Sequence, residues 1–217
     1  MSDNEISLLK KYNEGIGISG FSNVIIDDIY KNIIEELNST QFFNGSIKNH
    51  FCILLGQLLK FLASRTDIGN RGKCKYLFAP NAVESELADD LKDFLDSGIL
   101  YGKVHSEIRD IGGGRVDIHV NFSGYRFIAE LKREFNDISR ENIRNEYEAQ
   151  AATYQATNIN LGFLVVLDLT PKINGLPNMQ SNVWLDTIPP QKEGDLEKNI
   201  IVICIPGNKI SPSKTHY

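Results

Sequence analysis

One stretch, Gly112 to Lys132 (GGGRVDIHVNFSGYRFIAELK), constrains the fold more than any other. It reads as a glycine turn, a strand, a short turn and a second strand. In the first strand Val116, Ile118, Val120 and Phe122 alternate with Arg115, Asp117, His119 and Asn121, the period-2 pattern of a half-buried strand. Ser123-Gly124 supplies the turn. Tyr125, Phe127, Ala129 and Leu131 then alternate with Arg126, Ile128, Glu130 and Lys132. Successive strand side chains point to opposite faces, so Glu130 and Lys132 share one. Neighbouring strands lie roughly 4.8 Å apart, so the hairpin can bring Asp117 beside that pair.

Two carboxylates and an ammonium on one patch suit a hard divalent cation, Mg²⁺ or Mn²⁺, which takes carboxylate oxygens and keeps several waters. Asp117 and Glu130 are the candidate ligands, with the Leu131 carbonyl as a third. Lys132 is placed to orient an attacking water and to stabilise its deprotonated form. Such a group of residues can aim a nucleophile at a phosphodiester. The competing reading makes the same alternating polar residues the solvated face of a hairpin.

Asp117 followed by Glu130-Leu131-Lys132, across a strand–turn–strand, resembles the PD-(D/E)xK superfamily of restriction-endonuclease-like nucleases. The family's Pro-Asp is Val116-Asp117 here. Farther on, Ser139 to Tyr154 carries Ile143, Tyr147, Ala151 and Tyr154 at helical spacing, with Gln150 and Tyr154 on one face. Gln150-Ala-Ala-Thr-Tyr154 is similar to the Q-x-x-x-Y element of the RecB-like branch. That resemblance implies that Gln150 supports the site and that Tyr154 lies near the substrate backbone. It also implies a glutamate from the helix before the sheet, for which Glu84 is the better match. Asn81 with Glu84 fits a helix-capping arrangement as well, and both readings stay open. The implied fold is α/β (α+β): a central mixed β-sheet flanked by helices, preceded by an N-terminal helical extension.

The flanking chain agrees with this order. Val24 to Leu37 and Ser46 to Ala63 read as helices, with Ser46 as cap of the second. Phe51 to Leu62 is apolar nearly all round, which suits a core helix first and a surface for a second copy or a partner chain second. Thr66 to Pro80 reads as a loop made basic by Arg71, Lys73 and Lys75 next to Arg65. Asn81 to Ser97 is an amphipathic helix and Ile99 to Ile108 a first strand. Leu161 to Leu169 is a continuous apolar run, as in a strand covered on both faces. The segment Leu131 to Leu169 then forms a parallel strand–helix–strand crossover. Pro171 to Glu197 is a long loop around Val183–Leu185, and Asn199 to Ile205 is the last strand. The expected division is a helical extension over 1–80 and a nuclease-like core over 81–217.

Composition narrows the partners. A net charge of −5 excludes a generally basic nucleic-acid coat, so any such contact is local or shared with a partner. No secretory leader is read at Met1–Glu5, and Cys52, Cys74 and Cys204 have neither zinc nor disulfide spacing. A reducing cytoplasm and no membrane follow as expectations. The reading is a metal-dependent nuclease acting on DNA before RNA, and the resemblance adds restriction or defence against foreign DNA as a role. The alternative is a catalytically silent nucleic-acid-binding or interaction subunit on the same fold.

Overall fold

The structure is a computed structural model. It describes residues 23–40, 42–69, 72, 74–106, 118–122, 124–148, 159–172, 175–190 and 196–210. Asp117, Gln150 and Tyr154 lie outside the described residues. The chain divides into two compact units, Met1–Ala63 and Ser64–Tyr217.

In the first unit, helix α1 is Val24–Leu37. Its Asn23 cap accepts the Ile25 and Ile26 amides at 3.0 and 3.4 Å, satisfying donors that the first turn leaves open. Ile26, Ile29, Ile33 and Leu37 form its buried stripe. Helix α2 is Gly45–Thr66. Ser46 is not its cap: the helix begins one residue earlier, and the Asn44 carbonyl accepts the Lys48 amide at 3.2 Å. Phe51, Leu54, Leu55, Leu58, Leu59, Phe61 and Leu62 are all buried within the single chain. That burial is what a core helix requires.

The second unit is built on a six-stranded mixed sheet. Helix α3 is Glu84–Asp96. The strands are β1 (Val104–Ser106), β2 (Ile118–Phe122), β3 (Tyr125–Glu134), β4 (Leu161–Asp168), β5 (Val183–Ile188) and β6 (Lys198–Pro206). Their spatial order is β1-β2-β3-β4-β6-β5. Between β3 and β4 stands helix α4, Arg140–Ile143, continued by a π-turn over Arg144–Glu148. Gly124 takes the β2–β3 turn with φ of 84°, a backbone that lacks the usual Cβ clash only in glycine. β1, β2 and β3 pair antiparallel, whereas β3–β4 and β4–β6 are parallel, so the expected crossover is present.

Every residue of β4 is buried, as its unbroken apolar run requires. On one face Leu164, Val166, Ile200, Val202 and Cys204 pack with Ile143, and Ile138, Tyr147, Trp184 and Ile188 cover the rim. The opposite face holds Phe127, Ala129, Leu131, Phe163, Val165 and Ile201, all buried.

Three expectations change. The strand expected over 99–108 is described only at Val104–Ser106, because residues 98–103 turn instead: Tyr101 N bonds Gly98 O and Lys103 N bonds Leu100 O. The long loop expected over 171–197 contains an edge strand, β5. Its Asp186 is gripped by Arg140, with Nη2 2.7 Å from Oδ1. The loop over 66–80 carries a short 3₁₀ turn at Lys75–Phe78, and Arg65 beside it is paired with Asp90. Its guanidinium forks onto Asp90 at 2.6 and 2.6 Å, and Tyr76 Oη donates to the same carboxylate at 2.6 Å. Among the described residues no helix is long and apolar enough to cross a membrane.

Candidate active site

β3 carries the site. Glu130, Lys132 and Glu134 leave it on the face that also holds Leu164 and Val166 of β4, while Leu131 points the other way into the core. The expected shared face of Glu130 and Lys132 is present. The solvated-face alternative is not: Glu130 is 1% exposed and Lys132 8%. Lys132 Nζ stands 2.7 Å from Glu130 Oε1. Glu130 Oε2 is buried and accepts no hydrogen bond from the described residues.

An orphaned carboxylate oxygen in a low-dielectric interior costs about 1–3 kcal/mol. Taking the ion pair out of water adds a further desolvation cost that its own attraction repays poorly. Two buried polar side chains, one unsatisfied, are therefore not what stability alone selects on a central strand.

Glu84 joins this pair from the first turn of α3. The sequence left it between a capping and a site role. Helix α3 starts at Glu84 with Val83 as its cap, and the reach-back to the cap amide comes from Glu86, whose Oε2 accepts Val83 N at 2.9 Å. Glu84 is thereby released from capping. Burial pushes its carboxyl above the ordinary value of 4.5, and the Glu130 charge pushes the same way. Lys132, Arg133 and the Arg133 amide pull it back only in part. The three groups thus sense one another electrostatically. Arg133, on the opposite side of β3 from Lys132, ties β3 to the start of α3 with Nη1 3.2 Å from Ala82 O.

Glu134, which the sequence reading passed over, completes the line. Its Oε1 accepts the amides of Phe135, Asn136 and Asp137 at 2.9, 2.7 and 3.2 Å. Its Oε2 accepts Tyr147 Oη at 2.8 Å, and that hydroxyl also lies 3.2 Å from Arg133 O. Burial alone would raise this carboxyl, but those four donors hold it below 4.5. The alternation Glu130, Lys132, Glu134 was the signal that could have found it. Tyr147 sits in the π-turn, which pins the turn to the end of β3. Such turns recur at functional sites.

Of the residues singled out from the sequence, the structure brings together Glu84, Glu130 and Lys132, with Leu131 between the last two. Asp117, Gln150 and Tyr154 fall outside the described residues. Among those described, no cluster of three His, Cys, Asp or Glu side chains is placed to hold a metal ion. The donors present do fit a hard cation: a buried carboxylate with one open oxygen, and a second carboxylate beside it. Comparison with family models, with curated proteins and with solved structures gives no match for this chain.

Proposed function

We propose that the unit from Ser64 onward is a Mg²⁺- or Mn²⁺-dependent nuclease of the PD-(D/E)xK type, in its RecB-like form. Its substrate is the phosphodiester backbone of DNA, with RNA second, and its role lies in restriction or defence against foreign DNA. The observation that carries this reading is the buried Glu130–Lys132 pair with its one open carboxylate oxygen.

Glu130 would hold the ion with Asp117, the residue just before Ile118 in sequence, while Glu84 and the Leu131 carbonyl complete the donor set. The bound ion supplies charge neutralisation and an acidified water. Lys132, held in place by Glu130, orients the attacking water and stabilises the negative charge that develops on it. Glu134 and Tyr147 keep the end of β3 fixed while this happens. Gln150 and Tyr154 are assigned the supporting and substrate-facing roles that the resemblance implies.

The direct test is incubation of the purified chain with circular plasmid in Mg²⁺ and in Mn²⁺. Nicking or linearisation that disappears with chelator and in Glu130→Ala is expected. An intact plasmid with both ions, from a folded protein, contradicts the reading.

A further inference from the structure

We propose that the outer half of this same sheet face receives the phosphate backbone of a DNA strand and leads it to Glu130 and Lys132; the proposal rests on the nuclease reading above. In β1–β3, His105 pairs with His119, His119 with Ile128, and Asn121 with Arg126. Directly opposed residues of antiparallel strands point to the same side. By the two-residue period, Arg126 and Ile128 share that side with Glu130 and Lys132. These residues therefore form one surface, continuous along β3 with the site.

The surface is open at one end and closed at the other. Arg126 and His105 are exposed, His119, Asn121 and Ile128 are half-buried, and Glu130 is buried. The other side of the same strands carries Val104, Ile118, Val120, Phe122 and Phe127, all buried, so the polar side is the one turned outward. Arg126 Nε lies 3.4 Å from Asn121 Oδ1, which steers the guanidinium along the face. Among the described residues of this stretch a guanidinium and two imidazoles are present, and no carboxylate appears before Glu130. In a chain of net charge −5, a stretch that begins with arginine and carries no described carboxylate before Glu130 is complementary to a polyanion. Arginine and imidazole N–H groups suit phosphate oxygens, and such contacts position a backbone without reading its bases.

The test uses the full chain and a short labelled DNA oligonucleotide. Anisotropy titrations without divalent ion, run as a salt series, give affinity and salt slope. Cleavage of the same DNA in Mn²⁺ gives kcat and KM. Arg126→Ala and His105→Ala, both at exposed positions, are compared with wild type and with Arg126→Lys, after circular dichroism confirms the fold. Each alanine variant is expected to weaken binding roughly ten-fold, and Arg126→Ala to flatten the salt slope by about one phosphate contact. KM should rise with kcat unchanged, and Arg126→Lys should recover the slope. Alanine variants that bind like wild type while wild type still cuts overturn the strip and leave the nuclease reading standing. Wild type that lacks affinity for DNA overturns the strip outright. Binding lost through Arg126 in a protein that never cuts keeps the strip as a DNA surface and removes the nuclease reading alone.

Discussion

Glu130 and Glu134 leave the same strand on the same face, two residues to either side of Lys132, and both are buried. They live in opposite circumstances. Glu134 receives three backbone amides and a phenol, so its charge is spread over fixed dipoles that belong to the fold. Glu130 has one ammonium on one oxygen and, among the described residues, no hydrogen bond on the other. A carboxylate with a full set of donors is a structural rivet for the turn after β3. A carboxylate held half-satisfied beside a lysine has an oxygen left for a further partner. Burial alone does not tell the two apart, whereas the donor count does.

The comparison can be broken at several points. The largest expected effect is at Lys132. Lys132→Ala should reduce phosphodiester cleavage by roughly two to four orders of magnitude, measured as single-turnover plasmid cutting. It should also destabilise the metal-free protein by about 3 kcal/mol in urea, because it strands the Glu130 charge in the interior. A solvated lysine would have left stability untouched. Glu134→Gln should cost about 2 kcal/mol in the same urea titration, from weaker hydrogen bonds to the amides and Tyr147, while cleavage at a permissive temperature stays near wild type. If Glu134→Gln is the dead enzyme and Lys132→Ala cuts normally, the assignment of the two carboxylates is reversed.

A smaller effect separates Glu84 from Glu134 by sign. Glu134 sits below its ordinary value of 4.5 in the fold, so it stabilises above that pH, and the contribution is lost as pH falls through its lowered value. Glu84 is raised, so its contribution is present below 4.5 and is lost as pH rises through its elevated value. In metal-free urea titrations Glu84→Gln should therefore gain stability relative to wild type between pH 4 and neutrality, whereas Glu134→Gln should lose it. Parallel pH profiles for the two variants would mean that Glu84 does not share the buried environment of Glu130.

Much of this was legible in the sequence. The alternation through Tyr125–Lys132 fixed which side chains of β3 share a face, and the apolar run at Leu161 announced a strand covered on both sides. Less legible was what tertiary contacts decide. Asn81, Glu84 and Glu86 all offer capping chemistry, and only the actual start of α3 shows that Glu86 is the one used. Glu130 and Lys132 also fitted the solvated side of a hairpin, since nothing local says that both will be buried. Tyr101 and Ile99 had strand-forming side chains, yet the turn through Gly98 and Gly102, the latter at φ of 70°, overrides that preference. The donors on Glu134 come from its own next three amides and from a π-turn that no periodicity announces.

The central claim is that the open oxygen of Glu130 is a cation ligand. Calorimetric titration of the metal-free chain with Mn²⁺ tests it most directly, with three proteins side by side: wild type, Glu134→Gln, and the double variant Asp117→Ala/Glu130→Ala. The account predicts saturable binding to wild type and to Glu134→Gln, and none to the double variant although it remains folded. Mn²⁺ affinity in the double variant equal to that of wild type would contradict it.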